Sequence, residues 1–205
     1  MLFGPAAVSD AEVVMVDEAR LEQTENGLVP EGGGWFVANA REARWWHHDT
    51  FGSSVTFEGG VRFSDFGINI QVLSPGQPNC MYHGENAQED FLVLAGECLL
   101  LVEGEERLLE QWDFVHAPAW TEHVFVGAGS GPCAILMVGA RPRPEELRYP
   151  VVEVARKHGA GVAQETSSGN EAYAPFAPPT EGRYRDGMLP SPRPKYDTGG
   201  ETWPK

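Results

Sequence analysis

The stretch SPGQPNCMYHGENAQEDFLVLAGE, residues 74–97, is the part of the chain that decides the fold. His83 and Glu85 are two residues apart, and side chains at i and i+2 of a strand point to the same face. Glu89 continues this parity across a bend and begins an alternating run in which Phe91 shares its face. The pattern therefore places one imidazole and two carboxylates on one face of a β-structure.

A second stretch, EQWDFVHAPAWTEHVFVG at residues 110–127, contributes another imidazole. Pro118 and Trp120 predict a bend, and His123 opens the strand that follows it. Imidazole and carboxylate groups that converge inside the mouth of a barrel are the donors that a divalent metal needs. We therefore predict one metal site, built by His83, Glu85, Glu89 and His123.

The region 53–141 reads as a compact β-domain. Short strand-like runs follow one another here and are separated by turn signals such as Glu58-Gly59-Gly60. Short strands with glycine-bearing hairpins predict an all-β sandwich or barrel of jelly-roll type. The predicted strands are SVTFEG, VRFSDF, INIQVLS, DFLVLAGE, CLLLVEG, FVHAPA, HVFVG and CAILMVGA.

The two flanks differ from this region. Residues 1–52 form an acidic lead-in, in which we predict one strand at Trp35 to Ala38 and another within REARWWHHD. Residues 142–205 begin with PVVEVARKHGAG, which predicts a short helix opened by Pro150, since proline suits the first helical position, and closed by Gly159.

From Gln164 onward the chain has seven prolines and few aliphatic residues, which predicts an extended or partly disordered tail. Its aromatic residues are too many for a simple linker. We therefore expect part of the tail to pack on the barrel or on a second subunit. These aromatic residues are Tyr173, Phe176, Tyr184, Tyr196 and Trp203.

Charge and composition exclude several classes of function. The formal net charge is −15, from 30 acidic against 15 basic residues, and an acidic surface disfavours nucleic acids and anionic membranes. The first residues lack the basic and apolar regions of a secretory signal. The three cysteines are widely spaced and form no CxxC pair, which is typical of reduced thiols. We expect a cytoplasmic protein.

The two stretches resemble the motifs of the cupin family. The family's first motif is a glycine, about five residues, H-x-H, three or four residues, a glutamate, six residues and a glycine. Its second motif is a glycine, five residues, then P-x-G-x-x-H-x-x-x-N. The matching positions of this chain are Gly76, His83-x-Glu85, Glu89 and Gly96, then Trp112, Pro118-x-Trp120-x-x-His123 and Gly127.

The resemblance implies a single-domain cupin of the type 2 conserved-barrel kind, with His83, Glu89 and His123 as metal ligands. Glu85 replaces the family's second histidine and carries over by position alone. Trp112 and Trp120 replace glycines, which are often used for turns with positive φ, so we expect altered turns or added lids there. Because cupin barrels commonly pair, the resemblance also implies a homodimer.

The donor set guides the choice of metal and of function. Two nitrogens and two oxygens favour Fe(II) or Mn(II) over copper and leave zinc and nickel open. Open coordination positions suit a metal-dependent oxygenase or isomerase that acts on a small organic molecule. The alternative is a non-catalytic barrel that binds or senses a small ligand, because this fold hosts many functions.

Three further histidines are weaker candidates for the metal site. His116 lies two residues before Pro118, and we expect it to serve the core or to support a ligand. His47 and His48 are adjacent on a predicted strand, so their side chains point to opposite faces, which disfavours a two-histidine site.

Overall fold

The computed structural model describes residues 15–189. The predictions for the first residues of the chain, and for Tyr196 and Trp203 in the tail, lie outside this range. The helices within it are too short to span a membrane. The strands are β1 (Arg20–Thr24), β2 (Gly27–Glu31), β3 (Trp45–His48), β4 (Gly52–Val55), β5 (Phe66–Leu73), β6 (Gly84–Glu85), β7 (Glu89–Ala95), β8 (Glu97–Val102), β9 (Glu105–Leu109), β10 (Phe114–Ala117), β11 (His123–Ala128), β12 (Cys133–Ala140), β13 (Leu147–Arg148) and β14 (Thr180–Gly182), and the helices are α1 (Glu153–Lys157) and α2 (Gly169–Ala172).

Two antiparallel sheets form the body of the domain, which confirms the predicted all-β jelly-roll class. The larger sheet has the strand order β10-β7-β12-β5-β4-β3-β14, and the smaller sheet has the order β11-β8-β9. Since β3 and β14 belong to the larger sheet, it extends beyond the predicted 53–141 region on both sides. Residues of both sheets meet in one apolar core, among them Phe91, Ile135, Leu100 and Phe125.

Strand alternation decides which residues enter this core. In β7, Phe91 and Val93 are buried, while Asp90, Leu92 and Leu94 are only partly covered, as the period of two requires. Gly96 then turns the chain into β8 with φ of 72°. A Cβ at this position would lie 2.6 Å from the carbonyl oxygen of Pro132, so glycine is needed both for the turn and for the close approach.

Several predicted elements differ from the structure. The segment from Trp35 to Ala38 makes only an isolated bridge between Trp35 and Glu18, and the run VRFSDF is irregular until β5 begins at Phe66. Both predictions are wrong because neither segment finds a strand partner over its length. The hairpin β1-β2 and the strands β6, β9, β13 and β14 are additions to the predicted set.

The two tryptophans in glycine positions do not alter their turns. Trp112 has φ of 80° and Trp120 has φ of 70°, so both side chains are carried by a backbone conformation that favours glycine. The expectation of altered turns is therefore wrong. Both indole rings are substantially exposed to solvent.

The predicted helix is present, and the described part of the tail is more ordered than the sequence suggests. Helix α1 begins at Glu153, three residues after Pro150, and Gly159 follows its end with φ of 72°. The C-terminal segment, defined here as residues 160–189, returns to the barrel. Its strand β14 pairs with β3, and its side chains Tyr173 and Phe176 pack against Phe51. The described part of the tail thus packs on the barrel, which was one of the two expected locations.

Candidate metal centre

The four predicted ligands come from three neighbouring parts of the barrel. His83 and His123 face each other across an antiparallel bridge, in which each backbone N–H donates to the other residue's carbonyl oxygen at 3.2 and 2.8 Å. Glu85 lies in β6, and the backbone N–H of Trp120 donates to its carbonyl oxygen at 2.6 Å. Glu89 opens β7. Backbone pairing therefore fixes the positions of all four residues.

The side chains converge as the spacing predicted. One ligand atom each from His83, Glu85 and Glu89 lie within 4.8 Å of one another. His123 is outside this group of three but adjoins it, with its Nε2 atom 3.3 Å from Oε2 of Glu89. The imidazole rings of His83 and His123 have centroids 5.5 Å apart. The four residues thus form a single cluster.

Hydrogen bonds determine the tautomers of both histidines. Nδ1 of His83 lies 2.9 Å from the carbonyl oxygen of Met81, and Nδ1 of His123 lies 2.9 Å from that of Thr121. A carbonyl oxygen can only accept, so each Nδ1 carries the hydrogen. Each Nε2 of a neutral ring then has a free lone pair, which is the form of imidazole that binds a metal.

Burial strongly perturbs the acidic residues of the cluster. Desolvation, followed by the charge of Glu85, raises the pKa of Glu89 from 4.5 to about 8. Desolvation, followed by the charge of Glu145, raises the pKa of Glu85 to about 7. Desolvation also lowers the pKa of His83 to about 4, with a smaller contribution from His123, and it lowers the pKa of His123. The protein alone thus stabilises the neutral forms, and a cation would reverse this preference for the carboxyl groups.

The cluster lies in the wall of a cavity of about 690 Å³, a size that suits a small organic ligand. Phe91 and Met137 give the cavity an apolar side, and Phe91 also contacts the ring of His123 edge-on, with centroids 5.1 Å apart. Trp120 lines a neighbouring surface cavity instead.

Tyr149 is a pocket residue that sequence reasoning missed. Its ring stacks on His83, with a centroid distance of 5.6 Å and an interplanar angle of 26°, and only 4% of the residue is exposed. Desolvation by burial raises the pKa of its hydroxyl to about 12, so the group is neutral at physiological pH. The residue lies far from both motifs in the sequence, and its flanking residues Arg148 and Pro150 give no signal of this position.

The other histidines are outside the site. His116 is 51% exposed in its side chain and contacts Asp90 through Nδ1 at 2.7 Å, so the expectation of a core or ligand-supporting role is wrong. It fails because β10 is the edge strand of the larger sheet. His47 bonds Ser53 and the carbonyl oxygen of Arg183, whereas His48 accepts from the backbone of Thr50. The two side chains thus contact different groups, as expected for adjacent residues of a strand.

Comparison with known protein families identifies a match in the part of the chain that contains the metal cluster. The family model described as Cupin domain matches residues 69–139, a range that contains all four candidate ligands. Residues 69–139 therefore carry a cupin domain. No curated protein matches it.

Several solved structures are similar to this chain. A sugar phosphate isomerase of the cupin superfamily from Silicibacter pomeroyi is 21% identical over 74% of this chain and 83% of its own, with a TM-score of 0.43. An RmlC-like cupin from Methanocaldococcus jannaschii is 21% identical over 39% and 73%, with a TM-score of 0.36. A protein from Acidithiobacillus ferrooxidans is 25% identical over 43% of this chain, with a TM-score of 0.39, and the match spans 56% of that protein's length.

Proposed function

We propose that this cupin is a metal-dependent enzyme, an oxygenase or an isomerase, that acts on a small organic molecule. The contact between His123 and Glu89 carries the proposal. Because Nδ1 of His123 holds the hydrogen, Nε2 and the carboxylate oxygen 3.3 Å away are both acceptors. Two acceptors at this distance repel each other unless a proton or a cation lies between them. A divalent cation would satisfy both groups and also the neighbouring Glu85.

The donor set supports the choice of ion. Two imidazole nitrogens and two carboxylates favour Fe(II) or Mn(II), and zinc and nickel also accept such ligands. When bound, the ion would supply Lewis acidity toward an oxygen atom of the substrate. His83, Glu89 and His123 are proposed to hold it, together with Glu85.

The remaining residues of the pocket have separate tasks. Glu85 has a pKa of about 7 without a cation, which would suit a general base if its carboxylate is not engaged by the ion. Phe91 and Met137 cover one side of the cavity and limit the access of water to the substrate. Tyr149 holds the ring plane of His83 by stacking, which keeps Nε2 directed at the cluster.

Elemental analysis and thermal melting test the proposal. Protein purified without chelator should contain one equivalent of iron or manganese, and EDTA should lower its melting temperature, because a ligand that binds only the folded state stabilises it. His123→Ala should remove both the metal and the effect of EDTA. The matched control is His116→Ala, an exposed histidine away from the cluster, which should retain both.

The same measurements address the alternative of a non-catalytic binding module. Absence of metal from the wild-type protein, together with a melting temperature that EDTA does not change, would contradict the metal-dependent enzyme and favour a plain ligand-binding barrel.

We also propose that the protein is a homodimer. An apolar row crosses the outer face of the larger sheet, where backbone pairing aligns Phe114 with Leu92, Leu92 with Leu136 and Leu136 with Ile70. Phe114, at the end of this row, is 64% exposed. Light scattering should give twice the chain mass of 22.4 kDa, and a clean monomer would refute the proposal.

A further inference from the structure

Beside the metal cluster, two paired glycines leave a strip of backbone without side chains on β12 and β5. Gly139 of β12 pairs with Glu89 on one side and with Gly67 of β5 on the other. A Cβ on Gly139 would lie 3.5 Å from Oε1 of Glu89, which is ordinary van der Waals contact. The two paired glycines therefore form an open floor that begins at the candidate metal ligands and crosses two strands, roughly 10 Å at the usual strand spacing.

Arg141 lies at the far end of this floor. The point that a Cβ on Gly67 would occupy is 3.2 Å from Nη2 of Arg141 and 3.4 Å from its Nε. Glu58 accepts from Nη1 at 2.7 Å and from Nη2 at 3.0 Å, and the carbonyl oxygen of Phe63 accepts from Nη1 at 2.6 Å. These bonds hold the guanidinium in place. Within residues 15–189 the Nε–H has no acceptor, and its edge faces the space left by Gly67.

Asn69 supplies a second unsatisfied group in the same cavity. It follows Gly67 by two residues on β5, so its side chain is on the same face, and its pairing partner is the pocket residue Met137. Its Oδ1 atom is buried and has no hydrogen-bond partner in the described part of the chain. A buried acceptor without a donor is costly, which indicates that a ligand supplies the donor.

We propose that the ligand of this pocket is a small organic anion that also carries a hydroxyl group, with its anionic group on Arg141, its hydroxyl donating to Asn69, and its other end at the metal cluster. The inference rests on the proposed function and names the substrate class for that site. A guanidinium edge with free Nε–H and Nη2–H donors matches the paired oxygens of a carboxylate or a phosphate.

Basic residues beside the cavity support an anionic ligand. Arg62 and Arg143 also line the cavity, in a chain whose formal net charge is −15. A cation bound by Glu85 and Glu89 would offset the negative charge of their carboxylates and would attract the other end of the ligand. The metal and the arginine thus attract opposite ends of one molecule across the glycine floor.

The variant Gly67→Ala tests this geometry without removing a charged residue. Its methyl group would fill the space beside the edge of Arg141, and the guanidinium is the far end of a flexible side chain, so the fold should tolerate the change. Gly60→Ala is the matched control, because a Cβ at Gly60 would have no heavy atom within 4 Å.

Isothermal titration of Mn(II)-loaded protein provides the readout. We expect 3-hydroxybutyrate or glycerol 3-phosphate, the carboxylate and phosphate probes, to bind at least about tenfold more tightly than neutral butane-1,3-diol. Gly67→Ala should abolish this preference with unchanged manganese stoichiometry, and Gly60→Ala should keep it. Asn69→Leu should abolish the preference for 3-hydroxybutyrate over butyrate.

Three results would overturn the inference: diol binding as tight as that of both anions, no binding of either anion, or an unchanged anion preference in Gly67→Ala. Manganese uptake without anion preference would overturn this inference alone. Failure of the wild-type protein to take up any metal would overturn the proposed function as well, so the two failures are distinguishable.

Discussion

Replacing Glu89 by glutamine should stabilise the metal-free protein, although Glu89 is proposed as a metal ligand. Burial raises the pKa of this carboxyl group from 4.5 to about 8, and its side chain is only 18% exposed. A group whose pKa is higher in the folded state supports folding fully below pH 4.5, and this support is lost as the pH rises to 8. Glu89→Gln keeps the shape of the side chain and removes the ionisation.

The expected gain follows from this pKa difference. Each pH unit between 4.5 and 8 contributes about 1.4 kcal/mol, so the free energy of unfolding should rise by about 3 kcal/mol at pH 7 and by almost nothing at pH 4.

Urea denaturation in EDTA at several pH values is the assay. The control Glu110→Gln, at an exposed residue, should change the free energy of unfolding by less than about 0.5 kcal/mol throughout. With Mn(II) present the order should reverse, because the variant loses a ligand and the stabilisation by bound metal. A Glu89→Gln protein that is less stable than wild type in EDTA at pH 7 would contradict a buried, neutral Glu89 in the metal-free fold.

Three other predictions concern the barrel itself, each read out by chemical denaturation. Trp120→Gly should raise the free energy of unfolding by about 1 kcal/mol, because glycine adopts the left-handed backbone conformation of this position without the steric cost of a Cβ. A loss of stability would contradict this. Gly96→Ala should lower it by at least about 2 kcal/mol, owing to the positive φ and the clash with a carbonyl oxygen, whereas Gly131→Ala, which meets nothing within 4 Å, should have little effect. Phe51→Ala should cost about 3 kcal/mol and expose the C-terminal segment to proteases, since this ring is the centre of its aromatic contacts; an unchanged digestion pattern would argue against that docking.

The sequence predicts the inner strands well because burial imposes alternation on them. In β7 the parity of Glu89, Phe91 and Val93 is visible in the residues, and it places the carboxylate on the inner face. The hairpin β1-β2 was missed for the opposite reason. Neither strand shows alternation and β1 is largely exposed, although Asn26-Gly27 at the turn is a strong hairpin signal.

The residues of the site also fall into those that the sequence predicts and those that it does not. His83, Glu85 and Glu89 lie close together in the sequence, so strand parity was enough to bring them together. Asn69 and Arg141 enter the pocket through the register of β5 against β12, and the residues of either strand alone do not determine that register.

The most direct test of the four-residue metal centre is anomalous diffraction from crystals of the manganese-loaded protein. One anomalous peak should appear within bonding distance of Nε2 of His83, Nε2 of His123 and the carboxylates of Glu85 and Glu89. Absence of a peak at this cluster, or a peak coordinated elsewhere in the chain, would contradict it.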